Sequence, residues 1–97
     1  EIRQRVLTAR ERQATRFTEH AIRTNSEMAL KDVRTFCVLD EETQNMLKGA
    51  VERMNLSARA YNRVLKLART IADLEGSQKI VLSHVAEALQ YRGQEGG

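Results

Sequence analysis

The sequence predicts an all-α domain, a small bundle of four to five helices, and three observations carry that expectation. Its 97 residues include no proline, no tryptophan and only two Phe and two Tyr, while Ala, Leu, Arg, Glu and Gln, the stronger helix formers, are abundant. Apolar residues recur at helical spacing in several separate stretches. Residues that start and stop helices stand at the ends of those stretches. A chain of this length encloses one core and not two.

The best-marked element runs from Ser57 to Gly76. Ser57 is placed to accept a bond from a free backbone N–H as N-cap, Leu56 and Tyr61 occupy the hydrophobic-staple positions, and Gly76 supplies a residue able to take the left-handed conformation that closes a helix. At about 100° per residue, Tyr61, Val64, Leu65, Ala68, Ile71 and Ala72 share one side, and Arg59, Arg63, Lys66 and Thr70 the other. One face is predicted to be core and the other cationic.

The remaining elements follow in chain order. Ile2, Val6, Ala9 and, less regularly, Gln13 and Phe17 predict a first helix over residues 2–16, flanked by Arg3, Arg5, Arg10, Arg12 and Arg16. Its apolar stripe is too thin to bury much, so part of it is expected to dock on something outside this stretch; a solvated surface helix is the alternative. Phe17 to Glu27 lacks a period and reads as a loop, in which His20 has no second metal ligand at usable spacing. Met28–Cys37 predicts a short helix with Leu30, Val33, Phe36 and Cys37 facing inward. Asp40 is an N-cap with Glu41 and Glu42 in the favoured first turn. The helix that follows carries Thr43, Met46, Leu47, Ala50, Val51 and Met54, and ends at Asn55, the commonest non-glycine residue in the left-handed conformation. After Gly76, Ile80–Leu82 reads as a short extended piece and Ser83 as N-cap of a last helix, with Val85, Ala88 and Leu89 inward and His84 at the surface or half-buried. Residues 93–97 have nothing to bury and are expected to be a disordered tail.

Several function classes fall away. There is no G-x-x-x-x-G-K-[ST], H-E-x-x-H, paired C-x-x-C or G-x-S-x-G, and no His, Cys or carboxylate cluster at ligand spacing, so neither a catalytic residue nor a metal site is expected in this chain. Cys37 stands alone, which excludes an internal disulfide and points to a reducing compartment; it reads as a small buried apolar residue. No apolar run approaches the roughly 20 residues of a membrane span, and residues 1–5 do not begin a signal peptide. A cytoplasmic protein without membrane contact is the expectation. The chain begins with Glu and helical periodicity starts at once, which reads as a piece of a longer polypeptide. The net charge of +3 is set mostly by arginine, twelve against four lysines, which permits phosphate recognition through the guanidinium fork without demanding it. Within that inventory Arg59 stands out, because it falls in a first helical turn beside backbone N–H groups that favour an anion. A solvated helix face is the plain alternative.

Three blocks, Leu56-Ser57-Ala58-Arg59-Ala60-Tyr61, Ala68-Arg69-Thr70-Ile71-Ala72-Asp73-Leu74 and His84-Val85-Ala86-Glu87-Ala88-Leu89-Gln90-Tyr91-Arg92, resemble in order the C-terminal domain of magnesium-chelatase-related AAA+ ATPases, the ComM/YifB-like family. The resemblance covers roughly residues 1–92 and is densest from Leu39 onward; Asn55 stands where the family often has Gly. It implies a helical lid following a P-loop ATPase domain of the same chain, in a ring-forming, hexameric motor that uses ATP and Mg2+ held by the parent protein, with DNA handling among the family's tasks. It also implies a sensor 2 arginine, which contacts the γ-phosphate of ATP. Arg59 in Ser57-Ala58-Arg59 is the matching residue, Arg63 a weaker candidate one turn on, and Arg3, Arg5 and Arg10 would line the junction with the ATPase domain. A second reading is a free-standing nucleic-acid-binding module that places Arg59, Arg63, Lys66 and Arg69 on phosphates, though no aromatic residue stands among them for base stacking. A protein-interaction bundle is the third.

Overall fold

The computed structural model describes residues 2–18 and 24–94, the side chains of 92–94 excepted. His20 lies outside these residues. Among the described residues there are five α-helices and one short 3-10 turn: α1 (Ile2–Arg16), the turn Asn25–Glu27, α2 (Leu30–Phe36), α3 (Glu41–Met54), α4 (Ala58–Leu74) and α5 (Leu82–Gln94). There is no strand among the described residues, as the composition predicts.

The helix ends are set by local chemistry. The Asp40 carboxylate accepts from the Thr43 amide at 2.8 Å, and Ser57 Oγ from the Ala60 amide at 3.1 Å. These contacts fix the starts of α3 and α4 as capping residues do. α3 stops at Asn55, whose φ of 54° is left-handed, and the Leu56 amide then bonds back to the Val51 carbonyl. α4 closes with a Schellman motif: Gly76 has a φ of +76°, the Ser77 amide reaches the Ala72 carbonyl and the Gly76 amide that of Asp73.

Two helix starts differ from expectation for one reason, a side chain three residues in that reaches back to the backbone. Asp32 accepts from the Ala29 amide at 3.0 Å, so α2 begins at Leu30 and not at Met28. In that register Met28 is buried while Leu30 is exposed, correcting the inward position expected for Leu30. At α5 the Val81 amide donates to His84 Nδ1 at 3.0 Å. The helix therefore starts at Leu82, and Ser83, expected as its cap, lies within the first turn. His84 is buried, not at the surface. Its Nδ1 is an acceptor, so the ring proton sits on Nε2, which donates to Glu75 Oε1 at 2.9 Å. α5 continues to Gln94, two residues into the tail expected to be disordered.

The core is built around α4. Val64, Leu65, Ala68, Ile71 and Ala72 pack with Val85 and Ala88 of α5, Leu47 of α3, Val33 of α2 and the connecting residues Phe17, Met28, Cys37, Leu39 and Ile80. Ala68, Ala72 and Ala88 are fully buried, and small side chains there let α4 and α5 approach closely. Phe17 meets Phe36 edge to face, with centroids 5.3 Å apart. Cys37 is part of this core; burial pushes its thiol up to about 11, so it is an apolar filler and not a nucleophile.

Candidate functional site

Arg59 lies in the first turn of α4, exposed, and makes no hydrogen bond or ion pair among the described residues. That turn carries no acidic residue, so the free N–H groups at the helix start and the guanidinium add without internal compensation. Arg63, one turn along, is also exposed and borders a shallow hollow with Ser26, Lys66 and Thr70.

The cationic face expected for α4 does not extend beyond these two arginines. Lys66 and Thr70 are half-buried and Arg69 is buried, because α1 and the Asn25–Glu27 turn lie over this flank. Lys66 Nζ donates to the Ser26 carbonyl at 3.4 Å. Arg69 is turned inward: its Nη1 and Nη2 donate to the carbonyls of Gln78 at 3.1 Å and Ser77 at 2.9 Å, and Nη2 lies 3.2 Å from Asp73 Oδ1. Burial lowers the pKa of its guanidinium, and Asp73 opposes that shift. A phosphate grip using Arg59, Arg63, Lys66 and Arg69 together is therefore not formed. Arg69 serves the fold.

Under that flank lies a buried polar clamp. Arg16 at the end of α1 forms a fork to Asp73, Nη2 to Oδ1 at 2.7 Å and Nη1 to Oδ2 at 2.9 Å. Asn25 accepts from Arg16 at 2.8 Å and donates to Asp73 Oδ2 at 2.9 Å and Thr70 Oγ1 at 3.1 Å, while its own amide donates to Gln13 Oε1 at 2.9 Å. The Asp73 side chain has no exposed surface and that of Arg16 is 14% exposed. Arg16 also sits 5.8 Å from the Phe17 ring centroid. A bidentate, fully partnered pair of this kind fixes one geometry rather than adding much stability.

The clamp decides where α1 goes. Its second half, with Ala9 buried and Arg12 Nη2 donating to the Gly76 carbonyl at 3.1 Å, docks within the domain, on the C-terminal end of α4. Its first half carries Ile2, 79% exposed, and Leu7, 44% exposed, with Arg3 and Arg5 on the outside, and Arg10 is exposed just beyond it. Gln4, Arg5 and Thr8 face Leu74–Gly76 across a shallow hollow. Arg59 is therefore at the other end of α4, about 24 Å away at 1.5 Å per residue. The structure does not bring Arg59 together with Arg3, Arg5 or Arg10.

No group of three or more His, Cys, Asp or Glu is assembled among the described residues, and no helix there is long and apolar enough to cross a membrane. The molecule is an all-α bundle whose central helix is clamped at one end and presents an unpaired arginine at the other. Residues 1–92 match the family described as the C-terminal domain of the magnesium chelatase subunit ChlI, and the chain belongs to that family. It is 41% identical over 92 residues to the competence protein ComM of Haemophilus influenzae, covering 95% of this chain and 17% of that protein. With YifB of Escherichia coli, an uncharacterized protein, it shares 41% over 91 residues, covering 94% of this chain and 17% of the relative. An uncharacterized protein of Mycobacterium tuberculosis is 36% identical over 92 residues, covering 95% of this chain and 18% of its own length. The chain thus spans less than a fifth of the curated relatives it matches.

Proposed function

We propose that this chain is the C-terminal helical lid of a chelatase-related AAA+ motor and that Arg59 is its sensor 2 arginine. One observation carries the reading: an exposed, unpaired guanidinium in an acid-free first turn, on a helix whose far end is held by a buried ion pair. That environment fits an anionic phosphate. In the parent protein ATP and Mg2+ would be held by a P-loop domain, and Mg-ATP supplies a phosphoryl group whose charge changes on hydrolysis. What this chain adds is Arg59, a cation of the kind that contributes on the order of 10³–10⁵ to phosphoryl-transfer rates when supplied as an arginine finger.

The rod connecting Arg59 to the clamp gives the contact a mechanical consequence. A force on Arg59 is carried along α4 to Asp73 and from there to Arg16 and α1, so that gain or loss of the phosphate contact moves the lid as a body. The exposed residues Ile2, Arg3, Arg5, Leu7 and Arg10 of α1 are the surface for the preceding ATPase domain. Because that attachment lies at the opposite end of α4 from Arg59, Arg59 is directed at the nucleotide of a neighbouring subunit in a ring. DNA processing as the motor's task is supported by the name of one relative, a competence protein.

The test is Arg59→Ala in the protein carrying both domains. The expected result is an unchanged fold with ATP hydrolysis or nucleotide-dependent assembly reduced at least tenfold, about 1.4 kcal/mol of lost transition-state interaction. Unchanged hydrolysis together with unchanged assembly would refute the assignment.

A further inference from the structure

We infer that the groove between the α2–α3 connection, α3 and the first turn of α4 is a docking site for an acidic, apolar segment of a protein partner. Arg34 and Lys48 take its carboxylates, and Val38, Leu56 and Tyr61 cover its apolar side chains. The groove, about 780 Å³, falls within the range of about 300–1,000 Å³ that holds drug-sized ligands. Arg59 is not among the residues that line it, so the inference stands whether or not Arg59 senses a nucleotide.

Two kinds of unmet surface coincide there. The first is apolar. Val38 of the α2–α3 connection is 68% exposed and Tyr61 of α4 is 36% exposed, and the Tyr61 hydroxyl makes no hydrogen bond among the described residues. They line the groove together with the buried Cys37, Leu39 and Leu56 and the half-buried Val51. Apolar residues gathered in one groove, rather than scattered singly, mark a contact surface. The second is charge. Arg34, in the last turn of α2, and Lys48, midway along α3, both line the groove and both are exposed. Neither makes a hydrogen bond or ion pair among the described residues. No carboxylate lines the groove, and Glu52, one turn beyond Lys48 on α3, forms no ion pair there. The buried Arg16 and Arg69, by contrast, are answered by Asp73. Two free cations from different helices beside one apolar surface are complemented by two carboxylates on an apolar scaffold. An inorganic anion would leave Val38 and Tyr61 uncovered. A nucleic-acid strand would set its bases on aliphatic side chains with a single aromatic ring among them. A polypeptide meets both demands, and arginine and tyrosine are enriched where protein partners bind most strongly.

The experiment titrates the isotopically labelled chain with acetyl-Glu-Leu-Leu-Glu-amide and with its Gln counterpart, following the methyl groups of Val38, Val51 and Leu56 by NMR. The Glu peptide is expected to shift those signals saturably. Arg34→Gln and Lys48→Gln, both exposed positions that leave the core intact, should each weaken it about threefold, the worth of one exposed ion pair. The Gln peptide, which forfeits both pairs, should bind about tenfold more weakly. Equal binding of the two peptides, or a Glu peptide that leaves the three methyl signals in place, would overturn the proposal. A thymidine oligonucleotide that moves the same signals as strongly as the Glu peptide would also overturn it, and would reassign the groove to a nucleic-acid strand.

Discussion

Replacing Asp73 with Asn removes one negative charge and almost no volume, so the change isolates the electrostatics of the clamp. Asp73 accepts two bonds from Arg16, at 2.7 and 2.9 Å, and one from Asn25 at 2.9 Å, and lies 3.2 Å from Arg69. With Asn in its place two buried guanidiniums face each other without a counter-charge. Breaking a buried pair by removing one partner costs about 3–5 kcal/mol. A domain of 97 residues has roughly 5–15 kcal/mol in total. At about 4–8 °C per kcal/mol, the melting temperature of Asp73→Asn should fall by at least about 12 °C. Thermal and urea unfolding followed by circular dichroism measure this directly, and hydrogen exchange should show α1 losing protection first, since the clamp is its main polar tie to α4. A double-mutant cycle with Arg16→Gln should return a coupling of at least about 1.5 kcal/mol. A melting shift below about 4 °C, or a coupling near zero, would refute the view that this pair holds α1 in place.

Other outcomes follow from the same structure. Gly76→Ala should cost about 1–2 kcal/mol in urea unfolding, because its φ is left-handed; the added Cβ would meet only Arg12 Nη2 at 3.8 Å, so the cost is backbone strain and not a clash. His84→Leu should cost about 1–3 kcal/mol in the same assay by orphaning the Val81 amide, whereas Glu75→Gln, at an exposed position, should change little. Cys37 should resist iodoacetamide at pH 8 until the chain unfolds. Its thiol is raised from 9.0 to about 11, so between those values the unfolded chain releases a proton that the folded chain retains, and stability should fall as pH rises through that window. Arg59→Ala alone should leave stability within about 0.5 kcal/mol.

What the sequence displayed was what neighbouring residues decide among themselves. Asp40, Asn55, Ser57 and Gly76 act within one turn of their own positions, and each occupies the predicted end of a helix. The reach-back contacts of Asp32 and His84 are equally local but use residues outside the usual capping set at those positions, so α2 and α5 start elsewhere than expected and Leu30 turns outward. The clamp is of another kind. Arg16 and Asp73 are 57 residues apart, and no periodicity joins them. A faint signal existed: Asp73 is a carboxylate in the last turn of a helix, where the dipole disfavours it, and such a residue needs a partner. Placing Lys66 and Thr70 on a cationic face, and Arg69 on a phosphate in the nucleic-acid reading, missed that a second element could cover this flank, since helical periodicity ranks sides by hydropathy and an arginine whose charge is met by a buried aspartate reads as exposed. Arg59, by contrast, was legible from its place in the first turn, and the structure leaves it exposed.

The central claim, that α4 carries Arg59 away from its own domain's attachment towards a neighbour's nucleotide, is tested most directly by mixing two inactive full-length proteins. One carries Arg59→Ala with an intact P-loop; the other keeps Arg59 but has its P-loop lysine replaced. Recovery of ATP hydrolysis on mixing is the predicted result, because the intact nucleotide site of one subunit is then completed by Arg59 of the other. Mixtures that stay inactive while assembling normally would contradict it and return Arg59 to its own subunit's nucleotide or to the solvated surface.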